Sequence, residues 1–169
     1  MLRHNFDDEG NTFIQGIARV QFWVRYTKTN PGTTVNGEAV NNVFDLSVRR
    51  YRLGGYAQVE KKWLFYILMG NNNLNQNTLR TSDFRLLDAL GQYTFSEKLS
   101  LGVAKTTFQG AGRYSNGFSN ASMLTLDPSV YYLNTLNHLD DMGRRIGVYV
   151  KGQLGKIDYF IALQNSTTP

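Results

Sequence analysis

The stretch Phe44–Gly70, FDLSVRRYRLGGYAQVEKKWLFYILMG, decides how this chain is read. It is rich in strand formers, yet it sets Arg49, Arg50 and Arg52 inside an apolar run. Phe44, Leu46 and Val48 keep one phase of the two-residue strand period, and Tyr51, Leu53 and Ala57 keep the other. A β-bulge near Arg49-Arg50 reconciles the two phases, because one extra residue shifts the alternation by one. It places Asp45, Ser47, one of Arg49 and Arg50, Arg52 and Gln58 on a single polar face. Three arginines in the core of a packed sandwich strand would be costly, so a face turned to water is expected.

The same alternation recurs outward from this stretch. Phe13–Lys28 carries Ile14, Val20, Phe22, Val24 and Tyr26 on its even positions, and Gln15, Arg19, Gln21 and Arg25 on its odd ones. Phe13, Ile17 and Trp23 blur the polar side. This strand is far longer than the ~5–6 residues usual in globular proteins and exceeds the ~9–11 that cross a bilayer. Further strands are expected at 42–59, 63–70, 84–95, 99–108, 145–154 and 157–164, giving about seven by period counting.

The connections alternate in length. Glu60-Lys61-Lys62, Ser96-Glu97-Lys98 and Gly155-Lys156 are short, whereas 29–40, 71–83 and 109–144 are long and rich in Gly, Asn and Ser. Tight turns at one end and long loops at the other describe an all-β, antiparallel up-and-down meander, as in outer-membrane barrels. A soluble barrel or sandwich that binds an anionic ligand is the alternative; it would bury its apolar face instead. Long cations on the polar faces suit a wet interior. Aromatics near strand ends (Phe13, Tyr26, Phe44, Trp63, Tyr93, Phe95) are expected to lie on the apolar face, at the level of lipid headgroups.

Composition is consistent with this. The 169 residues carry a formal charge of +5, with 41% hydrophobic and 13% aromatic residues and only three prolines, which excludes a disordered chain. The charge favours anionic partners. The absence of cysteine excludes disulfides and thiolate metal sites. No run approaches the ~18 apolar residues of a membrane helix, and MLRHNFDDEG lacks the apolar core of a secretory signal.

Three stretches together resemble bacterial outer-membrane porins of the phosphate-selective (O and P type) superfamily and the related porins of Bacteroidetes. They are the opening stretch, FRLLDALGQYTFSEKLSLGVAKTTFQG and MGRRIGVYVKGQLGKIDYFIALQN. Ala104 departs from the pattern, standing where the family often has a polar residue. The resemblance implies a transmembrane barrel in the bacterial outer membrane, passive diffusion of small hydrophilic solutes, and contact with membrane lipid. A homotrimer is also compatible with it. An odd strand count and the ending QNSTTP make the chain read as the N-terminal part of a larger barrel, of about 16–18 strands as in porins. An eighth strand within 109–144 would change that expectation.

Residues 1–169 are expected to form one β-barrel domain. Pleat parity then nominates Arg19, Arg25, Arg49, Arg50, Arg52, Arg145 and Lys151 as an anion-binding, pore-lining set, because guanidinium offers a planar two-bond fork to phosphate and carboxylate. Asp45, Asp88 and Asp158 share the face and weaken the field if they pair with these cations. In the alternative reading, the arginines are struts paired within the wall. Residues 109–144 either fold into the lumen as a constriction, with a helix entered at Asp127-Pro128, or form an outward loop. No enzyme, cofactor or metal site is expected. His4 and His138 form no triad spacing, and His138 with Asp140 and Asp141 reads as a solvated loop. No motif for nucleic acid is visible.

Overall fold

The computed structural model of the chain describes residues 2–35, 37–71, 84–106 and 144–165. Among these every regular element is a strand: β1 (Leu2–Asn5), β2 (Phe13–Lys28), β3 (Thr34–Val35), β4 (Glu38–Ala39), β5 (Asn42–Val59), β6 (Trp63–Asn71), β7 (Arg85–Ser96), β8 (Leu99–Thr106), β9 (Arg145–Leu154) and β10 (Ile157–Gln164). Eight of them form one antiparallel sheet in the order β1-β2-β5-β6-β7-β8-β9-β10, and β3 with β4 makes a small hairpin. The chain is therefore all-β and meanders up and down. Among the described residues the sheet stays open, with β1 and β10 at its edges.

The bounds of β2, β5, β9 and β10 coincide with those the alternation predicts. The strand count does not: the sheet holds eight strands rather than seven, and the additional one is β1. It pairs Leu2–Asn5 with Phe13–Gly16 and is too short to show a period. The β3–β4 hairpin, inside the first long connection, is likewise too short to announce itself. Phe108, the 109–144 loop with its Asp127-Pro128 helix entry, and a strand within that loop lie outside the described residues.

The short turns bind the strands together at one end. Glu60 and Lys61 both take left-handed backbone angles, φ 50° and 58°, and Lys62 N donates to Val59 O at 3.0 Å, which makes a type I′ hairpin turn. Neighbouring turns then bond to one another. Lys61 N donates to Asn11 O, Thr94 N to Lys62 O at 2.8 Å, and Gln153 N to Glu97 O at 3.1 Å. The Tyr159 hydroxyl donates to Lys98 O at 2.6 Å.

Burial is the reverse of a soluble sheet. Residues opposite one another on paired strands project to the same face, so the register sorts every side chain. One face carries Phe22, Val24, Phe44, Leu46, Ile67, Val103, Val148 and Ile161, and all are exposed. The other carries Asp45, Arg50, Arg52, Asp88, Gln92, Ser100 and Tyr149, and all are buried. Leu46 is 70% exposed, while Arg50 on the same strand is 3% exposed. Monomeric soluble proteins rarely expose an apolar patch beyond ~300–600 Å², and this one runs across the sheet from β2 to β10.

Candidate functional site on the polar face

The bulge lies where the change of phase predicts it. Gln21 pairs with Arg50 and Phe22 with Val48, so Arg49 stands opposite no residue of β2. The shift carries Arg50 and Arg52 onto the face of Asp45 and Ser47. A regular strand would turn Arg50 and Arg52 to the apolar side instead, since one residue of slip inverts every side chain.

Below the bulge Arg52 pairs directly with Arg19. Like charges directly opposite are unfavourable in an ordinary sheet. On its other side Arg52 faces Gly70 of β6, which in turn pairs with Arg85 of β7. Gly70 has φ +148°, and a Cβ there would stand 2.1 Å from Tyr51 O, so only glycine fits beside the arginine. Arg52 lies within electrostatic range of Arg144, Arg50, Asp88 and Tyr66. Gln21, opposite Arg50, has a buried Oε1 that accepts no hydrogen bond among the described residues.

Next to this cluster is a closed ion pair. Arg144 donates from Nε to Asp88 Oδ1 at 3.0 Å and from Nη2 to Oδ2 at 3.1 Å, and Thr106 Oγ1 donates to Oδ1 at 3.0 Å. This is the two-pronged guanidinium–carboxylate geometry, with both partners buried. Arg145 follows on β9, paired with Thr106. Further towards the short turns, Tyr149 donates to Gln92 Oε1 at 2.9 Å. The ring crosses Gly102 to reach it, and a Cβ there would stand 2.3 Å from the Tyr149 ring. Tyr56 and Tyr66, paired across β5 and β6, stack at 4.5 Å.

The register thus puts Arg19, Arg25, Arg50, Arg52, Arg145 and Lys151 on one face, together with Asp45, Asp88 and Asp158. It does not gather them at one point. Arg19, Arg50 and Arg52 cluster on β2 and β5. Arg25 lies some 20 Å along β2 from Arg19, at about 3.3 Å per residue, and is tied to Asp45 at 3.4 Å, with Ser47 Oγ also donating to Asp45. Lys151 is as far along β9 from Arg145, opposite Ser100. Arg49 contributes the extra residue of the bulge. Phe13, expected on the apolar face, belongs to the polar one: it pairs with Gln58, and the Arg3 guanidinium lies 3.8 Å from its ring centre. An odd position at the start of a strand follows the parity of its neighbours rather than its own apolarity.

Period counting passed over Arg144, the buried partner of Asp88, because it precedes β9 and has no strand parity. The signal was available: a lone carboxylate in the apolar run Leu86–Leu90 calls for a cation. Among the described residues no group of three His, Cys, Asp or Glu side chains stands close enough to share a metal ion, and His4 meets the edge of Phe6 at 4.9 Å. Comparison of the chain with protein-family models, with curated proteins and with solved structures returns no match.

Proposed function

We propose that the protein is part of the wall of a porin-type β-barrel in a bacterial outer membrane, passing small hydrophilic solutes with a preference for anions. One observation carries this reading: the sheet exposes its apolar side and buries Arg50, Arg52, Asp88 and Arg144 on the other. An apolar outer band with a polar interior is the pattern of transmembrane barrels. Two groups of aromatics on the apolar face support it. Trp63, Tyr93 and Phe95 cluster near the short turns, with ring centres 4.6 and 4.7 Å apart, and Phe84 stacks with Tyr51 near the long connections. With one residue taken up by the bulge between Leu86 and Asp88, the path from Phe84 to Tyr93 climbs about 20 Å at a tilt of ~40°, of the order of the ~25 Å apolar band in such barrels.

The anion preference rests on the arginines gathered on this face, with Arg19 opposite Arg52 and Arg50 beside them. Charged rings on a pore wall set which ions enter. The second reading, a soluble barrel or sandwich around an anionic ligand, draws on the same buried arginines, but it requires a second layer over the apolar face. The two separate in one fractionation. The porin reading expects the intact protein in the detergent-extracted outer-membrane fraction, with a band that shifts when the sample is heated. A soluble protein with heat-insensitive migration contradicts it.

A further inference from the structure

The small residues of the apolar face are ordered. Gly16, Gly55, Ile67, Ala89 and Lys105 are successive partners across β2, β5, β6, β7 and β8, and so form one row. The row beside it, towards the short turns, contributes Ala57, Phe65 and Gly91. Glycine and alanine open gaps in both rows between the larger side chains of Ile67 and Phe65, and the surface there sinks into an apolar groove of about 1090 Å³. Four strand spacings separate Gly16 from Lys105, so the groove runs about 19 Å across the sheet. That suits a flexible hydrocarbon chain better than a rigid element.

One of its ends is cationic. At the β8 end Lys105 pairs with Ala89 and Ile146, on the apolar face, and donates to the Leu86 carbonyl at 3.1 Å. Apart from Lys28, the last residue of β2, Lys105 is the one lysine or arginine on this face of the eight-stranded sheet among the described residues. Leu99 to Lys105 climbs about 16 Å for a strand tilted ~40°, short of the ~25 Å apolar band, so the ammonium must reach up towards the headgroup level.

We propose that this groove is a binding site for an anionic lipid, with an acyl chain laid along the small-residue rows and a headgroup phosphate held by Lys105. The site rests on the reading that the apolar face lies in a membrane. An apolar trough ending in a cation complements an apolar chain ending in a phosphate, and a neutral lipid satisfies only half of it.

Trp63 reports on the site, because its ring lies 6.0 Å from that of Phe65 in the groove wall. The intact protein carrying Trp23→Phe would be reconstituted in vesicles of phosphatidylcholine and phosphatidylglycerol, with either lipid brominated on its acyl chains, and Trp63 quenching measured. Brominated phosphatidylglycerol is expected to be preferred about fivefold, the value of one lysine–headgroup contact. Lys105→Gln is expected to abolish the preference. Gly91→Leu, which keeps the charge but fills the trough, is expected to reduce it; a Cβ there meets only Phe65, at 3.9 Å, so the fold accommodates it. Equal quenching by both lipids, a preference that survives Lys105→Gln, or occupation of the groove by a second copy of the chain would overturn the site. Absence of quenching by either lipid would overturn the membrane reading itself.

Discussion

Two halves of the same strand pair treat arginine in opposite ways. Above the bulge, Arg25 of β2 meets Asp45 of β5 at 3.4 Å, and Ser47 donates to the same carboxylate. Below it, Arg19 meets Arg52, and Arg50 lies beside them on the same face. The first arrangement closes a charge within the wall; the second sets arginines opposite and beside one another. On the porin reading, the first arginine braces the sheet and the second group is placed to act on solute. What permits it is Arg49, the extra residue that keeps both arrangements on one face.

The largest effect therefore belongs to the bulge. Deleting Arg49 inverts one half of β5 relative to the other and drives either arginines or apolar side chains to the wrong side. An arginine at the midplane of the lipid face costs ~2–4 kcal/mol, so the folded, heat-modifiable form is expected to be lost on unheated gels. A deletion variant that assembles normally would show that the bulge does not set the face.

Asp88→Asn comes next, since it leaves Arg144 buried beside a neutral partner. Breaking one side of a buried ion pair costs about 3–5 kcal/mol, which urea titration of the folded band would register. Arg50→Gln with Arg52→Gln removes two charges from the lower half alone. Anion preference, read from reversal potentials, is expected to fall towards unity with little loss of folded protein. Asp45→Asn acts on the upper half and in the opposite sense: it releases Arg25 and raises anion preference slightly. Stability should change by less than ~1 kcal/mol, because Arg25 is partly exposed.

The smallest effect lies outside the strands, in the turn between β1 and β2. Desolvation acts upward on the Asp7 carboxyl, but hydrogen bonds from Asn11, Thr12 and Gly10 outweigh it and hold its pKa below the usual 3.8. A depressed carboxylate stabilises the fold above its unfolded pKa, and that contribution disappears as pH falls through the folded value. Amide exchange at Asn11 and Thr12 should accelerate only at strongly acidic pH, and Asp7→Asn should remove that dependence.

Much of this was legible in the sequence because strand parity is a local rule. The change of phase around Arg49-Arg50 located the bulge, and alternation fixed β2, β5, β9 and β10. Parity says which face a residue occupies but not how far along the face it lies. It could therefore nominate Lys151 and Arg19 together, although five strand spacings keep them apart. It is silent for residues flanking strands, which hid Arg144, and for elements as short as β1. The stack of Tyr56 on Tyr66 and the reach of Tyr149 over Gly102 depend on the register between strands, which no single strand encodes.

The central claim is that the clustered arginines line the interior of a membrane channel. Reversal potential across a planar bilayer holding the intact protein, under a potassium chloride gradient, tests it most directly. The account predicts a potential whose sign reports chloride as the more permeant ion; a potential of the opposite sign, or none, would contradict it.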